Sequence, residues 1–396
     1  MDIKIKSDLP KYYIATFGCQ MNHKDSQQMA GVLEALGFVR SKSLKNSDVV
    51  IINTCSVRQS SEDKVYGYGL IYKNIESKNK PLTFITGCMI GSAKGDRSRY
   101  NLEYLRKKLP WADYFLAPNE EYLLPKILYK EHLIDDWGLK SLKNHNFEIN
   151  AKRSLVSKNE SKTAFINISY GCDNFCTFCV VPYARGKEVS RPKDDILREV
   201  KHAVLRGYSN ILLLGQNVNS WMLSPMQKLK TRKKIGNHPF ADLLQEVHSI
   251  EGVKKIRFIT SNPWDFTPHL VNTLKLPKIE RFLHLPVQSG SNDILKAMNR
   301  RHTIEEYLEL IEEIRQVVPD MQFGTDIIVG FPTESDEDFE KTLDLFRKVR
   351  FRVAYISIYS PRKGTPAFNH LKDDVPLKVK KDRHNKLMSL YKSLNG

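Results

Sequence analysis

Along the chain, apolar positions fall into short strand-like runs that alternate with helical stretches, in two separate blocks. In the first block "YYIATFG" leads into a helical pattern through "DSQQMAGVLEALG", where Gly37 suits the C-cap. "DVVIINT" leads into a helix around 61–78, "PLTFITG" into one around 99–109, and "ADYFLAP" into one near 120–130. The second block carries six strand candidates with helical stretches between them: "AFINISY", "NILLLG", "KIRFIT", "RFLHLP", "GTDIIVG" and "AYISIY". This alternation is the signature of βαβ units and parallel sheets. The predicted fold class is α/β: an N-terminal open parallel α/β domain followed by a partial (βα)6 barrel. Six units, against eight in a closed barrel, leave one side open.

The pattern divides the chain into residues 1–138, a polar and basic linker at 139–163, the barrel at 164–371 and a basic amphipathic helix at 372–396. The longest apolar runs, such as "VVII" (49–52) and "ILLL" (211–214), are far too short to cross a bilayer. "MDIKIKSDLP" lacks the apolar region of a secretory signal. A soluble, cytoplasmic protein with no membrane partner is expected. In that reducing compartment cysteines read as metal or catalytic groups before disulfides.

A formal net charge of +17 makes a polyanion the leading partner class. The excess is partly clustered in "KLKTRKK" (228–234), with Lys228, Lys230, Arg232, Lys233 and Lys234, and in the stretch 140–163. Such loops supply affinity for phosphate without choosing a sequence. The plainer alternative is a solvated basic surface.

All six cysteines fall into two sets. Cys19, Cys55 and Cys88 each directly follow a predicted strand of the first block, 36 and 33 residues apart. In an open parallel sheet the strand carboxyl ends form the ligand-binding edge, so these three should converge. Unrelated core cysteines are the alternative. Cys172, Cys176 and Cys179 lie within eight residues in "YGCDNFCTFC", straight after the first barrel strand. Structural zinc asks for four ligands, yet no second pair follows and no His lies within twenty residues. Zinc with a distant fourth ligand stays open. An iron–sulfur cluster accepts thiolates readily, and three cysteines on four irons leave one iron without a protein ligand.

C-x3-C-x2-C after the first strand of a six-unit barrel resembles the radical S-adenosylmethionine enzymes. A preceding three-cysteine α/β domain is similar to that of the methylthiotransferases among them. The wording resembles the tRNA-modifying MiaB branch: "FGCQMN" (17–22), "NTCSVR" (53–58), "GCM" (87–89), "YGCDNFCTFCVVPYARGKEVSRP", "LLGQNVNSW" (213–221), "SNPWDF" (261–266), "HLPVQSGSNDILKAMNRRHT" (284–303), "TDIIVGFP" (325–332) and "YSPRKGTPA" (359–367). The similarity runs from about Tyr12 to Ala367.

The resemblance implies a radical SAM barrel and two 4Fe-4S clusters, an auxiliary one on Cys19, Cys55 and Cys88 and the radical SAM one on Cys172, Cys176 and Cys179. It implies S-adenosylmethionine as methyl donor and as radical source, and a methylthio group placed on carbon 2 of an N(6)-isopentenyladenosine beside the tRNA anticodon. That carbon has no acidic proton for a base to remove, so radical abstraction suits it. Unpaired anticodon-loop bases can be splayed into a pocket. Gln216, Ser261, Gln288 and Asp326 sit in the motifs that line the cofactor pocket in the family; turn or cap roles are the alternative. Arg185, Arg191, Arg300 and Arg301 could meet the cofactor carboxylate or tRNA phosphates, or serve as ion-pair partners. Trp221, Trp264 and Tyr183 could stack a base, with core packing the alternative. Further expectations are an electron donor such as flavodoxin or ferredoxin and a monomer.

Nothing after Pro376 reads as strands, so the β-barrel TRAM module that ordinarily ends the family is expected to be absent. Phe17 and Trp221 stand where Tyr is usual, and Thr333 where Gly is favoured. Competing readings are a methylthiotransferase acting on threonylcarbamoyl-adenosine or on a ribosomal-protein aspartate, and a non-enzymatic iron–sulfur nucleic-acid-binding protein.

Overall fold

In a computed structural model, which describes residues 9–57, 59–136, 138 and 162–396, every run predicted as a strand forms one. The stretch read as a linker, 139–163, lies outside the described residues except for its last two. Chain contacts separate two units. One takes Met1–Glu160 with the short segment Val180–Gly186, and the other takes Ser161–Cys179 with Lys187–Gly396.

The first unit is a five-stranded parallel sheet in the order β2-β1-β3-β4-β5. Its strands are β1 (Lys11–Phe17), β2 (Val39–Arg40), β3 (Val49–Thr54), β4 (Leu82–Gly87) and β5 (Tyr114–Leu116). The two-residue β2 was not legible in the apolar pattern, because both its residues are exposed. β3, at the centre, is buried along its whole length, which is why "VVIINT" is apolar without alternation. Its successive side chains feed two cores. Val49 and Ile51 join Tyr12, Leu33 and Phe84 beneath α1 (Gln20–Ala35), while Val50 and Ile52 join Val65, Ile85, Met89 and Leu105 on the other face. That second face is covered by α2 (Gln59–Lys73), α3 (Cys88–Lys94) and α4 (Leu102–Lys108). The helix expected around 99–109 is α4, and a further helix, α3, precedes it and starts at Cys88 itself. Gly87 permits this abrupt turn: its φ is 94°, and an added Cβ would lie 2.4 Å from Asn53 Oδ1 and from the Thr54 carbonyl. A further helix, α5 (Leu124–Lys130), closes the first core.

The segment Val180–Gly186, which contains α6 (Val181–Ala184), reaches this unit through a close approach at α3. A Cβ on Gly91 would stand 1.8 Å from the Ala184 carbonyl oxygen and 2.9 Å from Pro118 Cδ.

In the second unit β6 (Thr163–Asn167), β9 (Asn210–Leu214) and β10 (Lys255–Phe258) form one parallel sheet, and β11 (Phe282–His284), β12 (Gln322–Val329) and β13 (Val353–Ile358) form another. Between β6 and β9, the antiparallel pair β7 (Ser169–Tyr170) and β8 (Val189–Ser190) brackets the cysteine loop. A parallel bridge between Ile256 and Ile279 joins β10 to the segment that enters β11, so six strands follow one another in chain order. This is the partial barrel expected. The helices α7 (Lys193–Leu205), α8 (Pro239–Ser249), α9 (Pro268–Thr273), α10 (Asn292–Ala297), α11 (Ile304–Val317), α12 (Asp336–Val349) and α13 (Leu377–Asn395) fill the spaces between strands or follow the last. One large core of strand and helix residues, among them Ile211, Leu213, Phe240, Leu244, Tyr307 and Phe346, unites them. α13 is fastened by charge as well as by Leu387: Arg383 meets Glu334 at 2.9 Å and Asp336 at 2.7 Å. No helix of the described residues is long and apolar enough to cross a membrane.

Two outcomes follow from this packing. Gly91→Ala is expected to destabilise the protein by about 1–3 kcal/mol, since backbone rather than a flexible side chain must move. Hydrogen exchange should rise in residues 180–186 and stay unchanged in β12. The second outcome concerns His238, which is buried at the start of α8 with Nε2 set 2.9 Å from the Asp265 carbonyl. Burial holds its imidazole down to about 4, against an ordinary 6.5. Between those values the unfolded chain binds the extra proton, so stability is complete above about pH 6.5 and is lost as the pH falls towards about 4. The expected loss is on the order of 3 kcal/mol, read from urea midpoints, and His238→Asn should flatten the dependence.

Candidate active site

The first cysteine trio follows directly from strand register. Phe17 pairs with Thr54 and Thr54 with Gly87, so β1, β3 and β4 end in one row. Cys55 and Cys88 come one residue past that row and Cys19 two, and Cys55 N–H donates to the Phe17 carbonyl at 2.7 Å. Cys55 and Cys88 are buried while Cys19 is exposed. The neighbouring Cys55 and Cys88 thiols act on each other's ionisation, which, with Arg185 alongside, brings Cys88 down to about 6 and drives Cys55 up.

Behind the trio lies a buried amide network that cysteine spacing did not reveal. Asn22 Oδ1 faces the Cys19 backbone N–H at 3.3 Å and its thiol at 3.5 Å. Asn22 Nδ2 donates to Asn53 Oδ1 at 2.8 Å, and Asn53 Nδ2 donates to the Asn22 carbonyl and to Ser26 Oγ. The signal was present in "CQMN" and "NTC", where an asparagine stands near each cysteine.

Arg185 belongs to this site. Its Nε donates to Cys88 Sγ at 3.3 Å, and its terminal nitrogen meets Asp25 Oδ2 at 2.9 Å, with both side chains buried. Burial alone would lower the guanidinium; the Cys88 and Asp25 charges outweigh it. Nε is thus committed to the thiol and Nη2 to the carboxylate, an ion-pair role of the kind weighed as the alternative for Arg185. Glu121, pushed up to about 7 by burial and next by Asp25, lies near Arg185 too, as does Cys19.

The second trio sits in a loop held by the end of α10. Thr177 N–H donates to the Met298 carbonyl, Thr177 Oγ1 to the Ala297 carbonyl at 2.8 Å, and Asn299 Nδ2 to the Phe175 carbonyl at 3.1 Å. Cys179 N–H closes back on the Cys176 carbonyl at 2.9 Å. Cys172 and Cys176 are buried and Cys179 is half-buried. Burial, with the neighbouring Cys179 and Cys176 adding to it, raises the Cys172 thiol well above its ordinary value. Arg300 points a guanidinium nitrogen at Cys176 Sγ, 3.6 Å away, donates to the Pro286 carbonyl and stacks 4.6 Å above the Trp264 ring. Trp264 in turn stacks on His302, whose imidazole burial and then Arg300 keep neutral.

The carboxyl edge of the barrel strands is buried and incompletely satisfied. Among the described residues Ser261 Oγ, Gln288 Oε1, Trp264 Nε1 and both amide atoms of Asn167 lack hydrogen-bond partners. Gln288 adopts φ 81° and is tied by its N–H to the Asp326 carbonyl, while the Asp326 carboxylate meets His284 Nε2 at 2.9 Å. Gln216 is half-buried just past β9. Beneath this edge Asp265 accepts from Ser220 Oγ at 2.5 Å and from Asn262 Nδ2 at 2.7 Å. Burial raises its carboxyl above the ordinary range.

Most of the basic candidates are already paired. Arg191 is buried against Glu199 at 2.7 Å. Lys228 meets Glu188 at 2.5 Å, Arg232 meets Glu313 at 2.6 Å and Glu309, and Lys233 pairs with Glu309. These pairings replace the expectation that Arg191 and Arg232 stand free for phosphate. Lys230, Lys234 and Arg301 are exposed, Arg301 donating to the Lys228 carbonyl. Trp221 is core, its Nε1 donating to the Arg191 carbonyl at 3.0 Å.

Among the described residues no three His, Cys, Asp or Glu side chains are arranged to hold a metal ion. A multi-iron cluster makes a different demand, since each thiolate binds a separate iron and the sulfurs stand apart. The donor chemistry fits such a group: two sets of three cysteines outside any disulfide, each set with one sulfur facing an arginine N–H.

Comparison with known proteins agrees. The family described as the radical SAM superfamily matches residues 166–346, and the one described as uncharacterized protein family UPF0004 matches residues 11–106. The tRNA-2-methylthio-N(6)-dimethylallyladenosine synthase of Carboxydothermus hydrogenoformans is 42% identical over 390 residues, covering 97% of this chain and 84% of that protein. The synthase of the same name from Clostridium botulinum strain Hall is 40% identical, covering 98% and 82%. The fold resembles the radical S-adenosylmethionine methyltransferase TsrM of Kitasatospora setae, with a TM-score of 0.62 at 13% identity over 91% of this chain and 77% of that one. With both blocks matched and this identity sustained along nearly the whole chain, the protein belongs to the tRNA-2-methylthio-N(6)-dimethylallyladenosine synthase family, MiaB, of radical SAM enzymes.

Proposed function

We propose that the protein places a methylthio group on carbon 2 of an N(6)-isopentenyladenosine next to a tRNA anticodon, with one S-adenosylmethionine as methyl donor and another as radical source. The observation that carries this reading is the 40–42% identity to curated synthases of that product across both blocks of the chain. Cys172, Cys176 and Cys179 would hold one 4Fe-4S cluster, and Cys19, Cys55 and Cys88 the other. When bound, the clusters and S-adenosylmethionine supply one-electron chemistry and sulfur, which side chains cannot deliver to an unactivated ring carbon.

The chain's own residues bind and orient. The unpartnered Ser261 Oγ and Gln288 Oε1 at the barrel's carboxyl edge offer one donor and one acceptor to a nucleoside-like ligand. His284 fixes the orientation of the Asp326 carboxylate beside them. The Ser220, Asn262 and Asp265 network stiffens the loops after β9 and β10, so the edge is set before ligand arrives. Exposed Lys230, Lys234 and Arg301 are available to tRNA phosphates. A one-electron carrier such as flavodoxin or ferredoxin is the proposed reductant, acting on a monomer in the cytoplasm.

Nucleoside mass spectrometry of tRNA from a strain lacking the gene tests the function. The 2-methylthio-isopentenyl nucleoside should disappear and its unthiolated precursor accumulate, with restoration by the intact gene but not by Cys19→Ala or Cys176→Ala. Persistence of that nucleoside, with loss of a threonylcarbamoyl derivative or of a modified ribosomal aspartate, would sink the assignment. For the basic loop, Lys230→Ala with Lys234→Ala should weaken tRNA binding and reduce the slope of log affinity against log salt by about 1.4, at roughly 0.7 per single-strand phosphate contact. An unchanged slope in filter binding would remove those lysines from the interface.

A further inference from the structure

We infer that Arg185 and Arg300 are positioning residues that set the reduction potentials of the two clusters, each through one N–H held against one cysteine sulfur. The inference rests on the proposal that both trios carry four-iron clusters.

The two contacts are alike in kind. Arg185 Nε donates to Cys88 Sγ at 3.3 Å, and Arg300 approaches Cys176 Sγ at 3.6 Å. Neither guanidinium is loose. Asp25 at 2.9 Å holds Arg185, and the Pro286 carbonyl and the Trp264 face hold Arg300. Each trio therefore meets one fixed cation at one of its three sulfurs. Taking up an electron adds negative charge to a cluster, and a hydrogen bond to its thiolate spreads that charge, so each arginine favours the reduced form. No bond forms or breaks; one electron passes from dithionite, which is oxidised, to each cluster.

The surroundings differ in a way that ranks the two effects. Arg185 is neutralised by the buried Asp25 carboxylate. Arg300 has no carboxylate partner among the described residues, its Nε has no hydrogen-bond partner, and its other neighbours are a carbonyl and an aromatic ring. Arg300 is half-buried and its charge is not offset by a carboxylate, whereas the Arg185 charge is offset by Asp25, so Arg300 should move the potential at Cys172, Cys176 and Cys179 more than Arg185 moves the other. The site proposed to receive the incoming electron is the one with the uncompensated cation.

The test is a dithionite titration of the reconstituted full chain followed by electron paramagnetic resonance, with the two signals assigned from Cys→Ala variants of each trio. Arg300→Met should lower the reduced-to-oxidised ratio of the radical SAM signal about tenfold at fixed potential, equivalent to about 59 mV for a one-electron couple. Arg300→Lys, which keeps the charge, should stay within about threefold. Asp25→Asn with Arg185→Met removes both buried charges together, and should shift the auxiliary signal in the same direction by less. Ratios unchanged in both methionine variants, with full iron content, would overturn the inference. If a methionine variant loses iron, its lysine counterpart decides. Iron regained at the wild-type ratio supports the assignment, and loss there too reduces the arginine to packing and overturns it. The underlying cluster reading fails separately: Cys176→Ala that keeps about eight irons and eight sulfides per chain would refute it whatever the arginines do.

Discussion

A parallel strand hands the residue after it to the same sheet edge as its neighbours, and this geometric rule is what the rest of the molecule depends on. In the first unit it acts through register: Phe17, Thr54 and Gly87 share a row, and the cysteines that follow have nowhere else to go. In the second it gathers the loops after the barrel strands at one carboxyl edge. Sheet pairing is enforced by burial on both faces of β3 and by the large barrel core, so the placing of the thiols draws on the stability of whole domains. The donors themselves need contribute little to folding.

Close approach is the cost of that arrangement. At Gly87 the chain must leave a strand and start a helix within one residue of Cys88, and at Gly91 the backbone of α6 presses on α3. The same crowding brings Arg185 to Cys88, because the segment that contacts α3 ends in that arginine. A buried guanidinium is tolerable there only with anionic partners, and Asp25 provides one. Arg300 is held by a carbonyl and an indole face, which orient its charge without cancelling it.

The strong positive charge of the chain is only partly a surface property. Arg191, Arg232 and Arg383 are buried in ion pairs, with Glu199, Glu313 and Glu334, and act within the second unit as fasteners. Their long apolar stems and forked donors suit that task. Net charge therefore overstates what is on offer to a polyanion, and the lysine-rich stretch 228–234 keeps Lys230 and Lys234 at its exposed face.

Period and punctuation in the sequence determined much by themselves. Apolar runs of strand length marked all ten predicted strands, and in β3, buried on both faces, the run is apolar without alternation. Six cysteines in two spacings, with motif wording around them, determined the family and the chemistry it implies. What only the tertiary structure decided is which charges meet. Arg185, read beside Arg191 as an oxyanion ligand, finds Cys88 and Asp25, which are 97 and 160 residues away in the chain. The asparagine network behind Cys19, the hold of Met298 and Ala297 on the cysteine loop, and the stack of Arg300 on Trp264 are likewise contacts between distant segments. Periodicity reports which face of an element is buried; it carries no record of the partner that buries it. For a charged or amide side chain that partner sets the role, and it exists only once the chain has folded.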